Sequence, residues 1–361
     1  MVSTVQKTKK KKQLQLYTKK EKASSVRTDI LLATLFAALV VAFLLSFVIG
    51  RYAISIPELS KVFFSKIFGL PVAWSATIET VIFQVRLPRI LAAMLVGSAL
   101  SVSGATYQGL FKNPMVSPDI LGASAGAGFG ASVGILLSLG IVGIQVSSFL
   151  SGLCAVALTF IISMLIGKGN NTVLILVLTG MVVSTLFSSF ISMTKYLADP
   201  YSKLPAITFW LMGGLSGISM TDIKIIIVPI LIGAVPLVLL RWKLNVLSFG
   251  DEEAKALGID TSKLRLIFII CSTLLTAASV SICGMIGWIG LIIPHLARML
   301  VGPNYKVLLP ASFLIGSTFL LLVDDIARSV FPLEIPLGIL TSLIGAPFFI
   351  YLLLKGRKGW I

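Results

Sequence analysis

The sequence predicts an all-α integral membrane protein of about ten transmembrane helices. Three observations carry this reading. Of the 361 residues, 57% are hydrophobic and only 12% are charged, about half the ~25% charged share of a soluble domain. Apolar runs of about 20 residues, the length that crosses a bilayer as a helix, recur along the whole chain. The charges gather between those runs, most densely in the first 28 residues. This composition excludes a disordered chain, a soluble nucleic-acid-binding domain and a secreted disulfide scaffold.

Residues 1–28 form a basic tail. Nine of the 30 Lys and Arg lie there, among them Lys9 to Lys12, Lys19, Lys20 and Lys22, so the net charge of +16 is concentrated in this segment. A basic segment abutting a span is held on the cytoplasmic side and drawn to anionic lipid. It is not read as a nucleic-acid contact. The first span, 30–50, is too long for a signal-peptide core and reads as a retained helix. The second, 88–108, opens on Pro88, which suits a first helical turn. The third, 118–140, carries Gly122, Gly126, Gly130 and Gly134 at every fourth position, a small-residue ridge that lets a neighbour approach. Its GAGFG string lies inside an apolar helix with no strand before it, so it is not a dinucleotide loop. The fourth to seventh spans are 146–167, 172–197, 222–241 and 263–282. The eighth, 284–301, is expected to present Gly284, Gly287 and Gly290 on one face. The ninth, 308–330, holds the adjacent Asp324 and Asp325, and the tenth is 336–354.

An even number of spans puts both termini on one side. With the N-terminus inside, 21 Lys and Arg fall on the cytoplasmic side and nine outside, as the positive-inside rule asks. The body is thus 29–355, with an inner connection at 242–262 and a cytoplasmic C-terminus at 356–361. Cys154, Cys271 and Cys283 lie in or beside apolar runs without a CxxC pair and read as small packing residues. His295, the only histidine, has no ligand partner at metal spacing and reads as a helix-packing residue. No GxxxxGK[ST] phosphate loop exists in the chain, so ATP would have to be bound by another subunit.

Four groups of residues stand out locally. In the inner connection, Asp251, Glu252 and Glu253 open a short helix that Gly258 closes, following ordinary capping rules. That is either a solvated turn or a knob shaped for a partner's cleft. Arg86 and Arg89 sit three apart at the outer start of the second span, and Arg328 lies near the outer end of the ninth. They either snorkel to the interface, Arg328 pairing with Asp324 at i,i+4, or offer guanidinium forks to carboxylates. Asp324 and Asp325, embedded acids, suggest either that pair or a proton relay. Asn113, Pro114 and Met115 form a proline turn after the second span.

Six segments resemble the permease subunits of bacterial ABC importers for ferric siderophores, haem and cobalamin. They are RLPRILAAMLVGSALSVSGATYQGLFKNPMVSPDILGASAGAGFGA (86–131), FWLMGGLSG (209–217), LSFGDEEAKALGI (247–259), GMIGWIGLIIPHLARMLVG (284–302), LLPASFLIGSTFLLLVDDIAR (308–328) and EIPLGILTSLIGAPFFIYLLLK (334–355). Together, in order, they cover nearly everything but the tail.

The resemblance implies an inverted-repeat permease of the type II ABC importer fold, with the four spans after the first and the last four as repeats of opposite topology. It implies a bacterial inner-membrane location and a second permease copy or paralogue. Two ATPase subunits would carry ATP and Mg, so this chain binds no cofactor and is not itself an enzyme. An extracytoplasmic binding protein would deliver cargo. By resemblance, Gly250, Asp251, Glu252, Ala254, Leu257 and Gly258 engage the ATPase, and Arg86, Arg89 and Arg328 receive binding-protein glutamates. Asn113 and Met115, with Thr172 and Val173, narrow the cytoplasmic end of the pathway, and Ser184, Ser188 and Ser189 line it. The cargo expected from the family is a ferric siderophore, with haem or cobalamin as alternatives. The rival of another class is an ion-coupled secondary transporter acting alone.

Overall fold

The computed structural model describes residues 26–69, 74–166, 172–330 and 332–356. Most of the basic tail, Lys168 and the last five residues lie outside the described residues. All regular structure among the described residues is helical. In order, the helices are α1 (Val26–Val48), α2 (Ile56–Phe68), α3 (Ala76–Thr80), α4 (Leu87–Leu110), α5 (Ala123–Leu136), α6 (Ile141–Ile166), α7 (Thr172–Leu197), α8 (Lys203–Met212), α9 (Met220–Leu239), α10 (Arg241–Phe249), α11 (Asp251–Ala256), α12 (Thr261–Cys283), α13 (Ile289–Val301), α14 (Tyr305–Ser329) and α15 (Leu337–Gly356). Seven helical stretches are long and apolar enough to cross a membrane, and α5, α13 and α15 are shorter apolar helices. Ten apolar helices therefore stand where ten spans were expected.

The second span differs from its expected form. It does not begin at Pro88. Helix runs unbroken from Ala76 to Leu110, with a π-helical stretch, Val81–Arg86, directly before the proline. The Leu87 amide bonds back to the Ile82 carbonyl, five residues away. A proline inside a helix removes one amide and crowds the carbonyl four residues earlier. The wider π turn absorbs that mismatch.

The third and eighth spans are shorter than expected, for a common reason. Residues Pro118–Leu121 form a 3-10 turn, and Gly122 breaks the chain direction at φ 90° before α5 starts. After α12, Gly284 caps the helix, and Trp288, at φ 71°, precedes α13. Gly284 and Gly287 therefore lie outside α13, and only Gly290 of that expected glycine face is helical. Three of the four expected ridge glycines hold: Gly126, Gly130 and Gly134 lie against Ile144, Ser147, Ser151 and Ala155 of α6, whereas Gly122 precedes α5 and faces Ser184 of α7. Each half of the chain thus runs from a long buried helix, α4 or α12, through a break to a short helix, consistent with a repeated unit.

Helix α4 is the axis. Small residues let its backbone touch two neighbours. A Cβ built on Gly97 would stand 2.2 Å from the Gly316 carbonyl of α14, and one on Gly104 would stand 1.9 Å from that of Gly290 in α13. Against α12, the Ser103 hydroxyl donates to the Ser272 carbonyl at 3.0 Å and meets Thr276 at 3.0 Å, while the Tyr107 hydroxyl lies 3.2 Å from Thr273. Two apolar clusters flank this seam. One, around Tyr107, Leu244 and Phe268, lies toward α10 and α11. The other, around Phe47, Ile90 and Leu320, lies at the opposite end. The connections are also more ordered than expected: 51–87 contains α2 and α3, 198–221 contains α8, and 242–262 is mostly α10 and α11.

Candidate functional site

The inner connection is built as a braced knob. Gly250, at φ 150°, joins α10 to α11 in a conformation that side chains disfavour. Asp251, Glu252 and Glu253 fill the first turn of α11 and Lys255 its last, complementing the helix dipole. Ala254 is fully buried beneath it. The Arg265 guanidinium of α12 donates to both oxygens of Asp251, at 2.9 and 3.1 Å. Asn245 of α10 donates to Asn304 Oδ1 at 3.0 Å and accepts the Tyr305 amide at 2.8 Å. Asp260 caps α12 by accepting the Lys263 amide at 3.0 Å. That bond, ahead of other contacts with Lys263, holds the Asp260 carboxyl below its ordinary value.

The knob is therefore tied to α12 and to the start of α14. Of the residues expected here, Glu252, Leu257 and Gly258 are exposed, and Asp251 is half-buried and engaged with Arg265. Gly250 and Ala254 are buried, so they support the knob from inside and present no contact surface. The reading missed Phe249, the last residue of α10, which is 74% exposed, as Leu257 is at 69%. An aromatic in so polar a connection was the available signal. It also missed Arg265 and Asn245, whose roles depend on which helices meet.

At the opposite end, Arg86, Arg89 and Arg328 come together, but they are not open to the outside. All three are buried. The Arg89 Nε lies 3.0 and 2.9 Å from the two oxygens of Asp324, and its Nη1 lies 3.0 and 2.9 Å from the two of Glu334. Arg328 donates to Asp325 and to the Ser46 carbonyl, both at 2.5 Å, and Ser46 donates to Asp325 at 2.6 Å. Arg86 donates to the Phe47 and Tyr52 carbonyls.

The expected i,i+4 pair of Arg328 with Asp324 is present, but each of the two has a closer partner. Arg328 Nε is 3.8 Å from Asp324, whose close partner is Arg89, while Arg328 binds Asp325. Within this chain all three guanidiniums are engaged by its own carboxylates and carbonyls. At the rim of an apolar bundle, a cation takes whatever carbonyls and carboxylates lie within reach. Glu334 was missed in the reading. It lies just before α15 and also accepts the Ser216 hydroxyl at 2.6 Å. Burial pushes its carboxyl up, but the Ser216 hydroxyl and the Arg89 guanidinium outweigh this and hold it below the ordinary range.

The turn after α4 and the start of α7 do meet. Asn113 and Val173 line one hollow of about 370 Å³ with Phe111, Val116 and Ile120. Met115 is exposed outside that lining, its amide donating to Asn113 Oδ1 at 2.9 Å. Thr172 begins α7, but its side chain lies outside the described residues. Ser184, Ser188 and Ser189 donate to carbonyls of their own helix, four residues back, at 2.7, 2.8 and 3.0 Å. Ser188 and Ser189 are exposed, whereas Ser184 is half-buried against Gly122. Among the described residues, no group of three His, Cys, Asp or Glu could hold a metal ion, and the cysteines are free.

Residues 38–355 match the FecCD transport family. The chain is 43% identical over 321 residues to the molybdate import system permease protein MolB of Haemophilus influenzae, covering 89% of this chain and 94% of that one. It is 39% identical over 284 residues to a probable iron chelatin transport system permease of Helicobacter pylori, covering 78% and 85%. A solved structure described as an inward-facing conformation of a metal-chelate type ABC transporter matches with a TM-score of 0.82 at 42% identity, covering 91% of this chain and 99% of that one. Matched by the family model over most of its length and by relatives at about 40% identity, the chain belongs to the FecCD transport family and is a multi-span permease subunit of an ABC importer, not the enzyme that hydrolyses ATP.

Proposed function

We propose that this permease imports a metal that arrives already complexed, handed over by a soluble binding protein on one face and driven by two ATPase subunits on the other. The observation that carries this is the α11 knob. Its exposed Glu252, Leu257 and neighbouring Phe249 form a docking surface. Its Asp251–Arg265 and Asn245–Asn304 ties pass any displacement to α12 and α14. A secondary transporter acting alone has no use for such a brace. The knob end, the basic tail and the C-terminus are cytoplasmic in this reading, and the membrane is the bacterial inner membrane.

A second permease, a copy or a paralogue, packs on the uncovered faces of α7 and α15, where Met181, Leu186, Leu343 and Ile350 are exposed. The pathway between the two passes Ser188 and Ser189 and closes at Asn113 and Val173. The sequence points to a ferric siderophore as cargo. The 43% identical molybdate permease favours a second reading, a metal oxyanion.

The test is uptake by proteoliposomes containing the permease, its ATPase and its binding protein. Leu257→Asp, and separately Glu252→Lys with Glu253→Lys, should abolish ATP-driven uptake while the permease stays folded. Uptake without the ATPase, or normal uptake by both knob variants, refutes the reading. Radiolabelled molybdate and ferric siderophore offered in parallel decide the cargo.

A further inference from the structure

The α10–α11 end holds a groove that transport does not use. It lies where the first turns of α1 meet the last turns of α13 and encloses about 520 Å³. Arg27, Ile30 and Leu31 line one side, and Met299, Leu300 and Val301 the other. Its lining is mixed: the Arg27 guanidinium and the threonines Thr28 and Thr34 share it with the aliphatic side chains. Ile30, Met299 and Leu300 are each more than half exposed, which suits acyl chains and not water. Only 22% of the apolar stretch of α1 is buried, so the groove opens sideways onto the surface that faces lipid tails. Charge points the same way: in residues 1–29, nine Lys and Arg stand against Glu21 and Asp29.

We propose that this groove is a binding site for an anionic glycerophospholipid. The phosphate meets Arg27, the glycerol and first methylenes lie between α1 and α13, and the rest of the chain runs down α1. Basic pockets between membrane helices recognise anionic headgroups in this way. A free anion would leave the aliphatic walls unused, and a neutral lipid would leave the positive rim unmatched. The chain's own residues 1–25 are a poor occupant, because their eight lysines would crowd a rim that already carries Arg27. The assignment to the inner leaflet, though not the site itself, rests on the cytoplasmic placement of this end.

The full chain in detergent is titrated with phosphatidylglycerol or phosphatidylcholine of identical acyl chains, and bound lipid is read by native mass spectrometry. Phosphatidylglycerol should be retained preferentially. Arg27→Ala should reduce that preference about fivefold, the effect of one basic residue at an anionic surface. Leu31→Trp, which fills the groove, should weaken both lipids. Changing Lys9 to Lys12 to Gln should leave the bound lipid in place. A photo-crosslinking residue at the exposed position 300 reports the occupant directly and should capture lipid.

Equal retention of the two lipids overturns the proposal. So does loss of binding on changing the four lysines but neither groove residue, or crosslinking of position 300 to a peptide from residues 1–25. Labelling of Lys22→Cys by an impermeant maleimide in vesicles of known sidedness tests the leaflet separately. Labelling from outside refutes the cytoplasmic placement and leaves the groove assignment standing.

Discussion

Replacing Arg89 tests whether the buried ion cluster is a structural unit. Three arginines (Arg86, Arg89, Arg328) face three carboxylates (Asp324, Asp325, Glu334), so the cluster is neutral. Arg89→Met removes one cation and leaves Asp324, which is 0% exposed, with only the Arg328 Nε at 3.8 Å. Removing one partner of a buried pair costs about 3–5 kcal/mol, whereas replacing both with apolar groups is often neutral. Arg89→Met combined with Asp324→Leu restores the charge balance and should recover at least half of the loss.

For a chain of this size, each kcal/mol shifts the unfolding temperature by about 2 °C at most. The single variant should therefore unfold measurably below the parent, by no more than roughly 6–10 °C. Cys271 and Cys283 are buried free thiols and Cys154 an exposed one, so in a Cys154→Ser background a thiol-reactive dye reports the exposure of the buried pair on heating in detergent. An unchanged unfolding temperature for Arg89→Met refutes the reasoning. So does a double variant as unstable as the single, since charge imbalance would then not be the cause.

Gly104→Val should destabilise strongly, because its Cβ would stand 1.9 Å from the Gly290 carbonyl and two backbones would have to part. Overpacking typically costs about 1–3 kcal/mol, and Gly287→Ala, with open space around it, should be nearly silent in the same melt. Glu334 should make stability fall in acid. Its carboxyl is held low in the folded chain, so its contribution is complete above the ordinary glutamate value of about 4.3 and is lost as pH drops through the folded value. The difference in melting temperature between the parent and Glu334→Gln should accordingly be flat near neutrality and shrink in acid, and a difference that widens there contradicts the assignment. Asp251→Asn should change stability little, since Asp251 is 43% exposed and such pairs contribute at most about 1 kcal/mol. In the reconstituted importer it should nonetheless lower the uptake gained per ATP hydrolysed, and unchanged coupling would show that the Arg265 tie is not a transmission point.

Much of the fold was legible from composition, because lipid imposes one simple demand. A span must be apolar, about 20 residues long and internally hydrogen-bonded, and that leaves a readable mark at each of ten places. The α5 ridge was legible for a similar reason, since small residues at a four-residue repeat have one geometric consequence. The knob was partly legible, because acids before a short helix and a glycine after it follow from the dipole and the chain's conformational limits. Its brace was not. Asp251–Arg265 and Asn245–Asn304 join residues 14 and 59 positions apart, and no local pattern marks them.

The arginines show the boundary most clearly. Spacing placed Arg86 and Arg89 at the rim, and i,i+4 geometry offered Asp324 to Arg328. The packing of α4 against α14 then added Arg89 as the nearer partner of Asp324 across 235 positions and brought Glu334 in from the loop before α15. The breaks before α5 and α13 belong to the same class, because positive φ at Trp288 follows from what surrounds it and not from the residue itself. Local chemistry by itself determined the membrane class and the ten apolar segments, while the helices of the connections and the ends of several spans came only with the structure. Only the tertiary structure decided which charges face each other. A buried ion takes the nearest complementary group in space, and the sequence does not record spatial distance.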